Sequence, residues 1–164
     1  MAIEQSVHDM HKKFTHDVAT HKFFSQSEKN MKKFLTFRML MQLEETGELA
    51  EAIGMPDEVV EAFSALADLC RATEPVHPMD FEEIIDAFVD TVVFSTGSLD
   101  ALFDDVFMVD SSIHEVMSAN MQKELGVKPG RPNPFGLPDL CKPEGWVPPD
   151  MSRFAIFLKS RCNF

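Results

Sequence analysis

A chain of 164 residues with 45% apolar content is long enough to form one compact domain whose core needs no disulfide or structural metal. Its formal charge of −12 argues against tracking nucleic acid, which requires a basic surface, and no run approaches the roughly 18 apolar residues of a membrane span. The N-terminus lacks the basic flank and apolar segment of a secretory signal, and Cys70, Cys141 and Cys162 form no CxxC or Cys/His cluster, so the expected setting is a reducing cytoplasm with no membrane partner.

Taken in chain order, Val7, Met10, His11 and Phe14 recur at helical spacing and predict a short helix over 5–14. Residues 15–27 read as a loop, after which Ser27 is placed to cap a long helix over 28–53 that Gly54 ends. Pro56, followed by Asp57 and Glu58, starts another helix to about Arg71, and the prolines of 72–79 make a connection. Asp80 with Glu83 three residues on is a capping-box pattern, opening a helix through Phe94. That helix is apolar on nearly every side and is expected to be central. A further helical stretch is expected within 99–124. Seven of the ten prolines fall in 127–150, which reads as an extended arm, and 154–158 as a short strand or closing segment. The expected organisation is a helical domain over 1–126 and a Pro-rich arm over 127–164, packed on the same domain or on a neighbouring subunit.

Charge is distributed unevenly along this plan. Residues 1–40 hold seven Lys/Arg and four Asp/Glu, whereas 41–115 hold nineteen Asp/Glu and one basic residue, Arg71; basic residues return from Lys123. An acidic solvated face is the ordinary meaning of such a run. Two clusters point further. Glu44, Glu45, Glu48 and Glu51 fall at spacings of three and four on one helix, where like charges oppose helix formation. Asp86 and Asp90 stand one turn apart inside Ile84-Ile85-Asp86-Ala87-Phe88-Val89-Asp90-Thr91-Val92-Val93-Phe94, a run with no basic residue in helical reach. Buried there, such carboxylates would need neutralisation, which a divalent cation supplies. Glu83, one turn earlier, is open between two roles, cap and third ligand. Oxygen-only donors suit Mg²⁺ or Mn²⁺. A di-iron bundle would need two Glu-x-x-His motifs, and the one such spacing, Glu74 to His77, lies in a proline-containing loop.

Glu44-Glu45-Thr46-Gly47-Glu48 followed by an acidic motif on the next core helix resembles the MazG-like and phosphoribosyl-ATP pyrophosphohydrolase-like superfamily of all-α nucleotide pyrophosphohydrolases. The resemblance extends to Met10–Phe14, Arg38–Leu49, Asp86–Phe94, Glu115–Lys123 and Lys142–Asp150, in the order found in versions encoded by bacteriophages. One departure is Ala87, which stands where the superfamily's second motif usually has Glu; Asp86 takes its place, or the register shifts to Glu83 with Asp86. The resemblance implies an all-α bundle of four to five helices with a C-terminal arm, two or more Mg²⁺ or Mn²⁺ ions, and cleavage of a nucleoside triphosphate to monophosphate and pyrophosphate in a host cytoplasm. It implies Glu45, Glu48, Asp86 and Asp90 as ligands, with Glu83 in reserve, and Glu44 as ligand or as the base that orients water. Asn120, Lys123, Lys142 and Arg38 are assigned to substrate and phosphate contact. Trp146, the only tryptophan, is either a packing anchor or a stacking platform. A homodimer or homotetramer is expected, with a purine such as dGTP as substrate; phosphoribosyl-ATP hydrolysis and a non-catalytic acidic helical binding module are the alternatives.

Overall fold

Local signals decide most of the helix ends. The computed structural model describes residues 3–14, 22, 24–128 and 138–162. Helix α1 spans Ile3–Lys13 and α2 spans Glu28–Ala52. The Ser27 hydroxyl accepts the Asn30 backbone N–H at 3.1 Å, satisfying one of the orphan donors of the first turn of α2. At its other end Gly54 takes a φ of 78°. This lets Met55 donate to Ala50 and Gly54 donate to Glu51, the paired closure that a left-handed residue after a helix permits. Helix α3 spans Asp57–Ala72 behind Pro56. These ends fall where the sequence places them.

Helix α4 spans Phe81–Phe103 and α5 spans Val106–Met121. The Asp80 carboxylate accepts the backbone N–H groups of Glu82 and Glu83. The boundary expected near 94–99 is therefore displaced: α4 continues through Gly97, and the stretch expected as one helix over 99–124 is cut at Asp104-Asp105. Asp104 adopts a left-handed conformation, φ 47°, while Asp105 accepts from Phe107 and Met108 as the cap of α5. Two adjacent aspartates thus end one helix and start the next, because a short acidic side chain tolerates the left-handed region and satisfies a first turn. After α5, strands β1 (Glu124–Gly126) and β2 (Asp139–Cys141) pair antiparallel. The segment expected as a strand or closing piece is a helix, α6, Ser152–Arg161. Phe154 and Phe157 sit three apart, and both rings meet Phe103, with centroids 6.1 and 6.2 Å away. The expected loop 15–27 and the middle of the arm, 129–137, lie largely or wholly outside the described residues.

The fold is all-α apart from the two-stranded ladder, and no described helix is long and apolar enough to cross a membrane. The chain divides into two compact units. One contains α2 and α3, packed along each other. Gly47 marks their closest approach, since a Cβ there would stand 3.3 Å from the Cβ of Phe63. The other unit contains α1 and everything from Asp80 onward, including the described part of the arm. Here α1 packs on α5, and Phe103, Val109 and Phe154 form the core with Leu99, Met108, Ile113, Met151 and Phe157 around them. Arg161 donates to the Phe103 carbonyl and pairs with Asp104 at 3.2 Å, so the end of α6 closes the corner between α4 and α5.

The expectation that α4 is central is corrected. Ile84 and Phe88 are half-buried, but Ile85 is 64% exposed, Val89 54%, Val93 58% and Phe94 71%. An all-round apolar pattern says that a helix wants cover on several sides; it does not say that its own chain provides it.

Two glycines make the packing testable. Both lie inside helices, where alanine is favoured over glycine by about 1 kcal/mol. At Gly97 nothing lies within 4 Å of an added Cβ, so Gly97→Ala is expected to raise Tm by roughly 2–4 °C. Gly47→Ala is expected to yield no such gain, because Phe63 must move; equal stabilisation of both variants in thermal melts would contradict the close α2–α3 contact.

Candidate functional site

The acidic run on α2 separates into two faces. Gly47 faces α3, and Glu44, one turn before it, lies on the same side. The Arg71 guanidinium of α3 donates to the Glu44 carboxylate and to Asp68, each at 2.6 Å. The single cation of the acidic stretch is therefore engaged by α2, and it relieves part of the repulsion among Glu44, Glu48 and Glu51. Glu45 and Glu48, separated by about 60° around the helix axis, point away from that contact. Both are exposed, and neither forms an ion pair with a described residue. Arg38 is also exposed on α2, two turns before Glu45, with its guanidinium near the Met41 sulfur at 3.6 Å.

In the other unit, Glu83, Asp86 and Asp90 follow one another along α4 at successive turns. All three are exposed, which corrects the argument from burial: in the isolated chain these carboxylates face water and need no counter-ion to be tolerated. Asp80 supplies the cap through its own side chain, and no hydrogen bond returns from the Glu83 carboxylate among the described residues. Among those residues no group of three or more His, Cys, Asp or Glu side chains is gathered as a metal cluster. The donor chemistry of each helix, two carboxylates one turn apart, nonetheless suits a hard divalent cation.

The residues of this unit that the resemblance assigns to substrate contact come together around the end of α5. Trp146 is half-buried, and its indole N–H donates to the Ala119 carbonyl at 2.9 Å. The Lys142 and Lys123 ammonium groups lie over its ring, 4.7 and 5.7 Å from the centroid. Asn120, adjacent to Ala119, is half-buried in the last turn of α5. The polar edge of Trp146 is committed to Ala119, and lysines approach its face. The tail beyond is tied to α5 as well: the Asp150 backbone N–H donates to Glu115 at 3.2 Å and Arg153 pairs with Glu115 at 3.6 Å. The Asp150 carboxyl is held below the usual carboxylate range by hydrogen bonds from the Ser152 side chain and backbone N–H.

Two residues at these places carry roles that the sequence did not assign. Arg71 was conspicuous there as a lone cation among acids. Lys13, whose ammonium reaches the Met121 carbonyl at the end of α5, left no comparable signal, because its partner is a backbone oxygen 108 residues away.

Compared with known proteins, the chain matches no family model, no curated protein and no solved structure.

The Arg71–Glu44 pair is partly exposed, so its worth is modest. Arg71→Gln is expected to lower stability by less than about 1 kcal/mol in urea unfolding, with the difference shrinking at high salt. In the Arg71→Gln background, Glu44→Gln should no longer destabilise; additive losses would show that the two side chains are not coupled.

Proposed function

We propose that this chain is a metal-dependent nucleoside triphosphate pyrophosphohydrolase, converting a (d)NTP and water to the (d)NMP and pyrophosphate, with a purine such as dGTP favoured. The observation that carries the reading is the division of the α2 carboxylates. Arg71 takes Glu44, while Glu45 and Glu48 stay open three residues apart, and α4 presents Asp86 and Asp90 four residues apart. The sequence resemblance supplies the reaction that this acidic set would serve.

In this reading Glu45 and Glu48 of α2 are oxygen donors to Mg²⁺ or Mn²⁺, and so, on their own helix, are Asp86 and Asp90 of α4 with Glu83 as a further donor. When bound, such ions screen the triphosphate from the carboxylates and make a water molecule more acidic. Glu44, fixed in orientation by Arg71, is suited to accept a hydrogen bond from that water. Lys123, Lys142 and Asn120 contact phosphate oxygens, and Arg38 adds a cation on α2. The open apolar face of α4 beside Asp86 and Asp90 supports a homodimer or homotetramer in which a second copy covers Ile85, Val89 and Val93.

The deciding experiment incubates the full chain with each of the eight common nucleoside triphosphates and Mg²⁺ or Mn²⁺ and separates the products. Monophosphate with pyrophosphate is expected; diphosphate with orthophosphate would reject the proposed bond. No turnover of any nucleotide would favour the acidic binding module. Glu48→Gln is expected to lower turnover by about a hundred-fold or more at unchanged helical content, and full activity in that variant would remove Glu48 from the site.

Assembly is tested separately. Light scattering on the purified chain should give a mass of at least two chains, and Val89→Asp, which places a charge on the apolar stripe, should shift it toward the monomer. A monomeric wild-type protein would refute the shared interface.

A further inference from the structure

The pairing of β1 with β2 sets Glu124 opposite Cys141 and Leu125 opposite Leu140. One step beyond the end of this ladder, the same register brings Lys123 opposite Lys142. Like charges directly across an antiparallel pair oppose each other, yet both ammonium groups converge on one indole ring. The turn that delivers this ring is itself specified. Gly145 takes a φ of 74°, and the Trp146 backbone N–H donates to the Pro143 carbonyl at 3.1 Å, the arrangement of a tight turn with glycine at its third position. The Trp146 N–H then fastens the ring to Ala119. Lys13 reaches the neighbouring Met121 carbonyl from α1. Lys13 at the end of α1 and Lys123 and Lys142 at the open end of the ladder are thus gathered at one helix end in a chain of net charge −12.

The geometry points to a metal-independent site for inorganic di- and triphosphate chains, formed by Lys123 and Lys142 on the face of Trp146. The ring attracts each cation through its quadrupole, so Lys123 and Lys142 are held near each other before any anion arrives. The carbonyl end of α5 disfavours negative charge, and the ligand must therefore be held by lysine charges alone. Such a site selects for anions of high charge with several spaced oxygens, pyrophosphate over sulfate or a single carboxylate.

The choice of anion rests on the proposed pyrophosphohydrolase reading, whereas the site itself does not. Trp146 is the only tryptophan and the chain has no tyrosine, so its fluorescence reports this ring directly. Inorganic pyrophosphate is titrated into the full chain in EDTA, without nucleotide, by fluorescence and by calorimetry in parallel. A saturable response is expected, with an affinity at least about ten-fold higher than for sulfate at equal ionic strength. Lys142→Gln should weaken pyrophosphate by about ten-fold, and Lys142→Arg, which keeps the charge, should retain most of it; circular dichroism checks that both variants are folded. No saturable response by either method, an equal response to sulfate, or unchanged affinity in Lys142→Gln would overturn the site. Because divalent ions and nucleotide are absent, binding without nucleotide turnover would sink only the catalytic reading, and turnover without this binding would sink only the inference.

Discussion

Repulsion among carboxylates is the constraint around which this chain is organised. Nineteen acidic side chains against one arginine over residues 41–115 leave that stretch, from the second half of α2 into α5, unable to neutralise itself by the ordinary pairing of glutamate with lysine one turn on. Arg71 of α3 pairs with Glu44 of α2 and with Asp68 of its own helix, while Lys29 pairs with Glu74, Arg161 with Asp104 and Arg153 with Glu115. Elsewhere the acids are turned to solvent. Water screens such charges cheaply, so the acidic faces are tolerable in the free chain and remain available to a cation or a basic partner.

Outside that stretch the chain is richer in lysine and arginine. Its basic residues in the larger unit gather where backbone carbonyls or aromatic faces receive them: Lys13 at Met121, Lys123 and Lys142 at Trp146, Arg161 at Phe103 and Asp104. Each of these contacts also ties a distant piece of sequence to the ends of α4 or α5. The tail in particular is fastened by polar contacts at Trp146 and Asp150 and by the packing of Phe154 and Phe157 against Phe103. Anchoring and the assembly of a basic cluster are accomplished by the same residues.

Burial follows a different logic from charge. Small residues at Gly47, Ala50 and Ala67 let α2 and α3 approach closely, while the larger unit centres on Phe103. Large apolar side chains along α4 stay substantially exposed, which is energetically unfavourable for an isolated chain with such a stripe. This face and the acids beside it belong to one helix, so whatever covers the former will also lower the dielectric around Asp86 and Asp90.

Helix identities and most of their ends were legible in the sequence, because Ser27, Gly54, Pro56 and Asp80 act through hydrogen bonds and dihedral limits confined to a few neighbours. The break at Asp104-Asp105 was local too, yet two aspartates carry a weaker stop signal than Gly97, which the helix passes through. Helix α6 was missed because its apolar residues, Phe154 to Leu158, form one short continuous run that suits a strand as well as a helix, and its cover comes from Phe103, far away in the chain. The acidic residues of the candidate site could be named from spacing alone; that Glu44 is tied to Arg71, that Asp86 and Asp90 face solvent, and that Lys123 and Lys142 meet over one indole ring could not. Spacing fixes which side chains share a face of one helix, whereas the neighbour that each face meets depends on long-range packing.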